Sequence, residues 1–125
     1  MSHFTSIQTQ IKDIEALREA CAELGLELLP KAEARGYGST RHPGEFIIRL
    51  KGPYDVALNR QTDGTYGLTT DWWDGHVEKE VGGNYGRLLQ LYAVHKTARE
   101  ARKRGLSVQR TLRTDGSIKL TLGGL

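Results

Sequence analysis

Apolar residues recur along this chain with two different periods, and the change of period marks its elements. Ile14, Leu17, Cys21 and Leu24 are spaced by threes and fours, which places them on one face of a helix. Asp13 stands where an N-cap belongs and Gly25 where a C′ glycine would close the pattern, so a first helix is predicted over 14–24. A short strand is predicted ahead of it, over 3–11. From Glu45 the period is two: Phe46, Ile48 and Leu50 alternate with Ile47, Arg49 and Lys51, as in a half-buried strand. Gly52-Pro53 interrupts it, Tyr54, Val56 and Leu58 resume it, and Asp63-Gly64 offers a tight turn before Tyr66, Leu68, Thr70 and Trp72. That pattern predicts a three-stranded antiparallel meander.

A second helix is predicted over 84–104, with Leu88, Leu91, Tyr92, His95 and Ala98 as its apolar stripe and Gly105 as its stop. Asp115-Gly116 then sits between two alternating segments, LSVQRTLR and SIKLTL, a second hairpin signal. Between LELLP and Glu45 the stretch KAEARGYGSTRHPG has neither period. It reads as a long loop over 31–44, a candidate mobile binding element, since long unstructured loops are often functional. The fold class expected is α+β: a two-layer sandwich of mostly antiparallel sheet with two helices on one face. The order is β-α-β-β-β-α-β-β, with room for an extra strand near 26–30. Ferredoxin-like and helix-grip strand orders are both open at this stage, and the face away from the helices should be polar or covered by a partner.

Composition adds limits. A chain of 125 residues, 38% hydrophobic and 26% charged, fits one domain over 1–125 with its own core. Cys21 is the one cysteine, so no intrachain disulfide forms, and its place on the helical stripe makes it a buried thiol. The start of the chain lacks a basic region followed by an apolar run, and no apolar stretch approaches the length of a bilayer span. A soluble cytoplasmic protein is expected, or a stromal one in a plastid.

The net charge of +3 is unevenly placed. Residues 1–30 carry two basic side chains against five acidic ones, and residues 96–113 carry seven basic against one acidic. Lys96, Arg99, Arg102, Lys103, Arg110 and Arg113 are therefore candidate contacts for an anion or a nucleic acid.

The densest chemistry lies in TDWWDGHVEKEVGG, residues 70–83. Asp71, Asp74, His76, Glu78 and Glu80 are metal-ligand types, yet they lack the spacing of an EF-hand, and the four histidines show no HExxH pattern. No metal or cofactor is expected. Trp72 continues the strand alternation into the core, Asp74-Gly75 makes a turn, and Glu78 and Glu80 suit an approaching helix N-terminus. Trp73 points the other way and has no local explanation, so Trp73 with His76 is the candidate partner-docking position. GGNYGR, ahead of the second helix, is a weak anion-cradle candidate. No nucleophile–base or acid–base arrangement can be read, which leans against an enzyme.

Four segments, MSHFTSIQTQIKDIEALREACAELGL, YDVALNRQTDGTYGLTTDWW, LLQLYAVHKTAREARKRGL and DGSIKLTL, resemble the family called domain of unknown function 1257. It includes the hypothetical chloroplast reading frame 35 proteins of plastids and cyanobacteria and similar bacterial chains. The resemblance covers nearly the whole chain, least well at 30–44. It implies no catalytic residue or cofactor. In bacteria, genes of this kind tend to lie near those of an AAA-type ATPase and a small companion protein, so the resemblance names these as candidate partners. The function expected is a small non-enzymatic interaction or adaptor subunit of a larger assembly, with nucleic-acid binding through the basic helix end as the alternative.

Overall fold

The structure, a computed structural model, describes residues 3–124. Strands β1 (Phe4–Gln8), β2 (Glu27–Arg35), β3 (Arg41–Arg49), β4 (Val56–Arg60) and β5 (Tyr66–Asp71) form one sheet in the order β1-β5-β4-β3-β2. Every neighbouring pair is antiparallel. Helix α1 (Ile14–Glu23) joins β1 to β2, which run the same way at opposite edges of the sheet. A four-residue helix, α2 (Glu78–Val81), precedes the long α3 (Gly86–Lys103), and β6 (Ser107–Leu112) pairs with β7 (Ile118–Gly123) in a separate hairpin. The α+β class and the order of elements are those the pattern predicts. Three strands separate β1 from β2, whereas the ferredoxin-like split places one between them, so that strand order does not form.

Local chemistry explains the helices. Asp13 caps α1, its Oδ1 accepting from the Ala16 N–H at 3.0 Å. The Tyr92 hydroxyl on α3 accepts from the N–H groups of Lys12 and Asp13 at 3.0 and 3.1 Å, so α3 also anchors the approach to α1. Leu17, Cys21, Leu88, Leu91 and Tyr92 pack with Ile48, Val56, Leu58 and Leu68 of the sheet in the main core, the area whose removal from water stabilises the fold most. Burial there pushes the Cys21 thiol up to about 12, a protonated and inert group.

The predicted loop over 31–44 is corrected. Residues up to Arg35 continue β2 and residues from Arg41 begin β3, leaving 36–40 as the turn of a long hairpin. Periodicity hides it because the hairpin bends. Lys31 has φ of 39°, and beyond it Ala32 and Ala34 no longer face the main core. They join Ile47, Ala57 and Phe4 in a second cluster on the opposite face of the sheet. Gly44 permits the bend, since a Cβ there would lie 2.7 Å from the Phe46 carbonyl oxygen. At the bend, side chains replace ladder bonds: the Glu45 N–H donates to Asn59 Oδ1, Asn59 Nδ2 to the Pro43 carbonyl, and the Arg60 N–H to Glu45 Oε1. Part of the face expected to be polar or partner-covered is thus covered by the chain itself.

The helices meet along a polar seam. Arg99 lies 3.5 Å from both Asp13 and Glu19, and His95 Nε2 is 2.8 Å from Glu23 Oε1, which refines its expected place on the apolar stripe. Arg110 on β6 donates to both Glu23 oxygens at 2.9 and 2.6 Å, pinning the hairpin to α1. Hydrogen bonds from Arg110, opposed by partial burial and helped by His95, draw the Glu23 carboxyl from an ordinary 4.5 down to about 2. A depressed carboxylate contributes stability above its unfolded pKa and loses it as pH falls through the folded value. Acidification from about 4.5 toward about 2 should therefore loosen the hairpin. Protection factors of the amides in 107–123, corrected for the intrinsic pH dependence of exchange, are expected to fall in that window while the β3–β4 ladder stays protected, and Glu23→Gln should reproduce the loosening at neutral pH. Unchanged exchange in both experiments would show that the Arg110 contact does not hold the hairpin.

Candidate functional site: an aromatic surface at one end of the sheet

The bent β2–β3 hairpin carries its tip back to the sheet end formed by the start of β1, the start of β4 and the end of β5. Three contacts fix it there. Gly36 lies against Phe4 so closely that a Cβ would sit 2.6 Å from the ring. The Asp55 N–H donates to the Arg35 carbonyl at 3.0 Å. Arg35 in turn grips Asp55 with a bidentate pair, Nε to Oδ2 and Nη2 to Oδ1, both 2.8 Å.

Asp55 is 0% exposed, so its charge needs full compensation. Its carboxylate also accepts from the Arg35 and Leu50 N–H groups at 2.9 and 3.1 Å, with Arg49 Nε 3.5 Å away. Burial alone would raise its pKa. The hydrogen bonds and charge of Arg35 outweigh that and hold it below the ordinary carboxylate range. The same Arg35 Nη2 also lies within hydrogen-bond reach of the Leu50 and Gly52 carbonyls, and Glu80 accepts from the Lys51 and Gly52 N–H groups at 2.8 and 3.0 Å. The 50–53 turn is held from both sides. Glu78 and Glu80 stand in the first turn of a helix, as expected, but that helix is the separate α2 and not α3, and Glu80 also clamps this turn.

A second buried carboxylate carries the surface. Asp71 accepts from the Tyr37 N–H at 3.1 Å and from the Trp73 N–H at 3.0 Å. The Tyr37 and Trp73 rings meet edge to face, centroids 5.9 Å apart, with 48% and 43% of each residue exposed. Next to them Tyr54 meets His76 at 5.0 Å, and His76 Nε2 lies 3.7 Å from Asp74. Burial, and then the charges of Asp71 and Asp74 with Tyr37 between, raise the Tyr54 hydroxyl pKa. Trp72, as expected, packs on the main core, where its ring meets Tyr85 at 4.8 Å. The candidate pair Trp73 and His76 thus stands with Tyr37, a residue that spacing along the chain does not single out, over Tyr54, which the strand alternation marks and which is buried in the core.

The candidate cations are placed apart. Arg99, Arg102 and Lys103 line one basin of about 420 Å³ with Glu19, although Arg99 is already in the helix seam. Arg110 is held by Glu23, Lys96 is half-buried, and Arg113 lies by the hairpin turn, whose Gly116 carbonyl accepts from Gln90. Thirteen helical residues separate Gln90 from Lys103, about 20 Å, so the six do not form one patch. The GGNYGR segment borders a cavity of about 260 Å³ lined by Trp72, Gly75, Glu78, Gly83 and Asn84, in which the Glu78 carboxylate opposes an anion. Among the described residues no three histidine, cysteine or acidic side chains converge as a metal site. No helix there is long and apolar enough to cross a membrane.

Fold and surface define a small α+β chain with a rigidly mounted aromatic patch. The chain belongs to the family described as "Protein of unknown function (DUF1257)", whose profile matches residues 20–121. It is 32% identical over 124 residues to the "Uncharacterized protein ycf35" of Pyropia yezoensis, covering 96% of this chain and 94% of that one. It is 29% identical over 127 residues to the protein of the same name from Guillardia theta, with 98% and 96% covered. No solved structure matches it.

Removing one partner of a buried ion pair leaves an uncompensated charge, at about 3–5 kcal/mol. Arg35→Met should lower the unfolding free energy by about 3 kcal/mol in urea titrations and expose the Tyr37 and Trp73 amides to exchange. A decrease under about 1 kcal/mol would show that the pair does not hold the tip.

Proposed function

We propose that this chain is a non-enzymatic interaction module, an adaptor subunit that docks a partner protein through the Tyr37–Trp73 surface. One observation carries the reading: two substantially exposed aromatic residues are held by their backbone N–H groups on a single buried carboxylate, with their rings packed edge to face. Exposed aromatics on a rigid base give contact area at low entropic cost, the usual property of binding hot spots. Asp74 beside Trp73 gives the patch an acidic rim, so it suits a partner segment presenting Lys or Arg for cation–π contact and ion pairing. The working compartment is the cytoplasm, or the stroma of a plastid.

Trp73→Ala tests this. A tagged chain returned to its native host should co-purify one protein in stoichiometric amount, and the substitution should abolish that recovery while leaving Tm within a few degrees, since the side chain is half outside the fold. Recovery of the chain alone as a monomer, or equal recovery with both forms, would sink the reading.

A second reading, nucleic-acid binding, is favoured by the Arg99, Arg102 and Lys103 basin. It predicts affinity for duplex DNA that falls steeply with salt. When Arg102 and Lys103 become Glu, the log–log slope should shrink by about 0.9 for each phosphate no longer neutralised. No binding at low salt would end it.

A further inference from the structure

The β6–β7 hairpin is a two-stranded sheet, marginal alone, and it leans on α3 with one face. Its register puts Val108, Arg110 and Leu112 opposite Leu122, Leu120 and Ile118, so five apolar side chains and one arginine share that face. Arg110 reaches Glu23 on α1, which places β6 on the α1 side and leaves β7 as the outer edge.

Along that edge runs a groove. One part, about 340 Å³, is lined by Gln90, Ala93, Val94, Thr97, Ile118 and Leu120. Its continuation, about 110 Å³, shares Thr97 and adds Glu100, Ala101, Arg104, Leu106 and Leu122. Leu122 is 45% exposed and Leu112 at the hairpin's other end 74% exposed, much apolar surface for a strand pair to leave in water.

The backbone of β7 is open on the same side. The Arg113 N–H donates to the Ser117 carbonyl at 2.8 Å, which makes 113 and 117 a hydrogen-bonded pair. Alternation in an antiparallel ladder then turns the N–H and C=O groups of Ile118, Leu120 and Leu122 outward. Unpaired main-chain groups beside an apolar groove are what an added strand requires.

Charge decides the occupant. Arg110 is taken up by Glu23 and Arg104 stands beside Glu100 in the groove, but the hairpin face turned away from α3 carries Arg113 and Lys119 with no acidic residue in either strand. A second copy of this chain paired along the same edge would bring Arg113 and Lys119 toward like charges, so the surface disfavours itself. We infer that the β7 edge binds an extended partner segment of alternating apolar and acidic residues as a third strand, its apolar side chains over Val94 and Thr97 and its carboxylates on the opposite face toward Arg113 and Lys119. The surface is separate from the Tyr37–Trp73 patch.

The test uses the whole chain and a synthetic peptide of about eight residues alternating valine and glutamate, with a valine–lysine peptide and a single-stranded oligonucleotide as comparisons. The acidic peptide should bind at least tenfold tighter than the lysine peptide and slow amide exchange at Ile118, Leu120 and Leu122. Leu122→Pro removes an outward N–H without touching the β6 ladder, and should abolish binding while Leu122→Val retains it. Lys119→Glu, on the face turned away from α3, should weaken binding tenfold or more in a chain whose hairpin is intact. Equal binding of both peptides, no binding of either, tighter binding of the oligonucleotide at the same edge, or protection of these amides by self-association in the free chain would each overturn the assignment. Trp73→Ala leaves this binding unchanged, which separates its failure from that of the aromatic surface.

Discussion

The bidentate pair between Arg35 and Asp55 is the interaction on which the arrangement of the molecule depends. Asp55 has no exposure, and a carboxylate in that position is tolerated because four N–H donations surround it, two from backbone and two from the Arg35 guanidinium. Those donors come from Arg35 at the end of β2 and from Leu50 at the end of β3. Meeting the need of one charge therefore joins the end of β2 to the turn before β4, and the hairpin must bend back to do it. Gly36 on Phe4 and Tyr37 on Asp71 follow from that bend. Apolar packing could have stabilised this end as well. It would not have specified which residue of the tip lands beside Trp73.

The second constraint is electrostatic and lies between the helices. Along the chain, the acidic opening and the basic 96–113 segment look like a dipolar field offered to solvent. In the fold much of it is used internally: Asp13, Glu19 and Glu23 meet Arg99, His95 and Arg110. Exposed pairs of this kind add little stability each, but they set the register of α3 on α1 and the lean of the hairpin. Arg102, Lys103, Arg104, Arg113 and Lys119 are in no ion pair among the described residues, and these carry whatever outward field remains.

What the sequence made legible tracks how local each cause is. The caps and stripe of α1, the meander from Glu45 to Trp72 and the Asp115-Gly116 hairpin depend on neighbours in the chain and were readable from spacing. The hairpin over 27–49 was not, because Lys31 and Gly44 bend both strands and switch the buried face, so period two breaks midway although pairing continues. The aromatic patch was half legible. Trp73 stood out as a tryptophan on the outward side of a strand, while Tyr37 sat in an apparent loop, thirty-four residues from the Asp71 that fixes it. Tyr-Gly between two Arg-bearing arms was the available signal, and it acquires meaning once Arg35 is matched to Asp55.

Strain points to the same region. Asp74, Asn84 and Tyr85 have φ of 58°, 52° and 62°, left-handed values that side chains rarely adopt, and all three lie between the aromatic patch and the body of α3. Such conformations persist where surroundings over-determine them, and here they are bracketed by the Trp72–Tyr85 ring contact and the Glu80 clamp on the 51–52 amides. The chain accepts the cost to turn sharply out of β5 and enter α3 with Trp72 in the core and Trp73 outside it. A turn that served only to connect β5 to α3 could use glycine at these positions, as it does at Gly75 and Gly82. Holding adjacent tryptophans in opposite environments is a stricter demand, and it makes the Tyr37–Trp73 patch preorganised, which a docking surface needs and a plain connection does not.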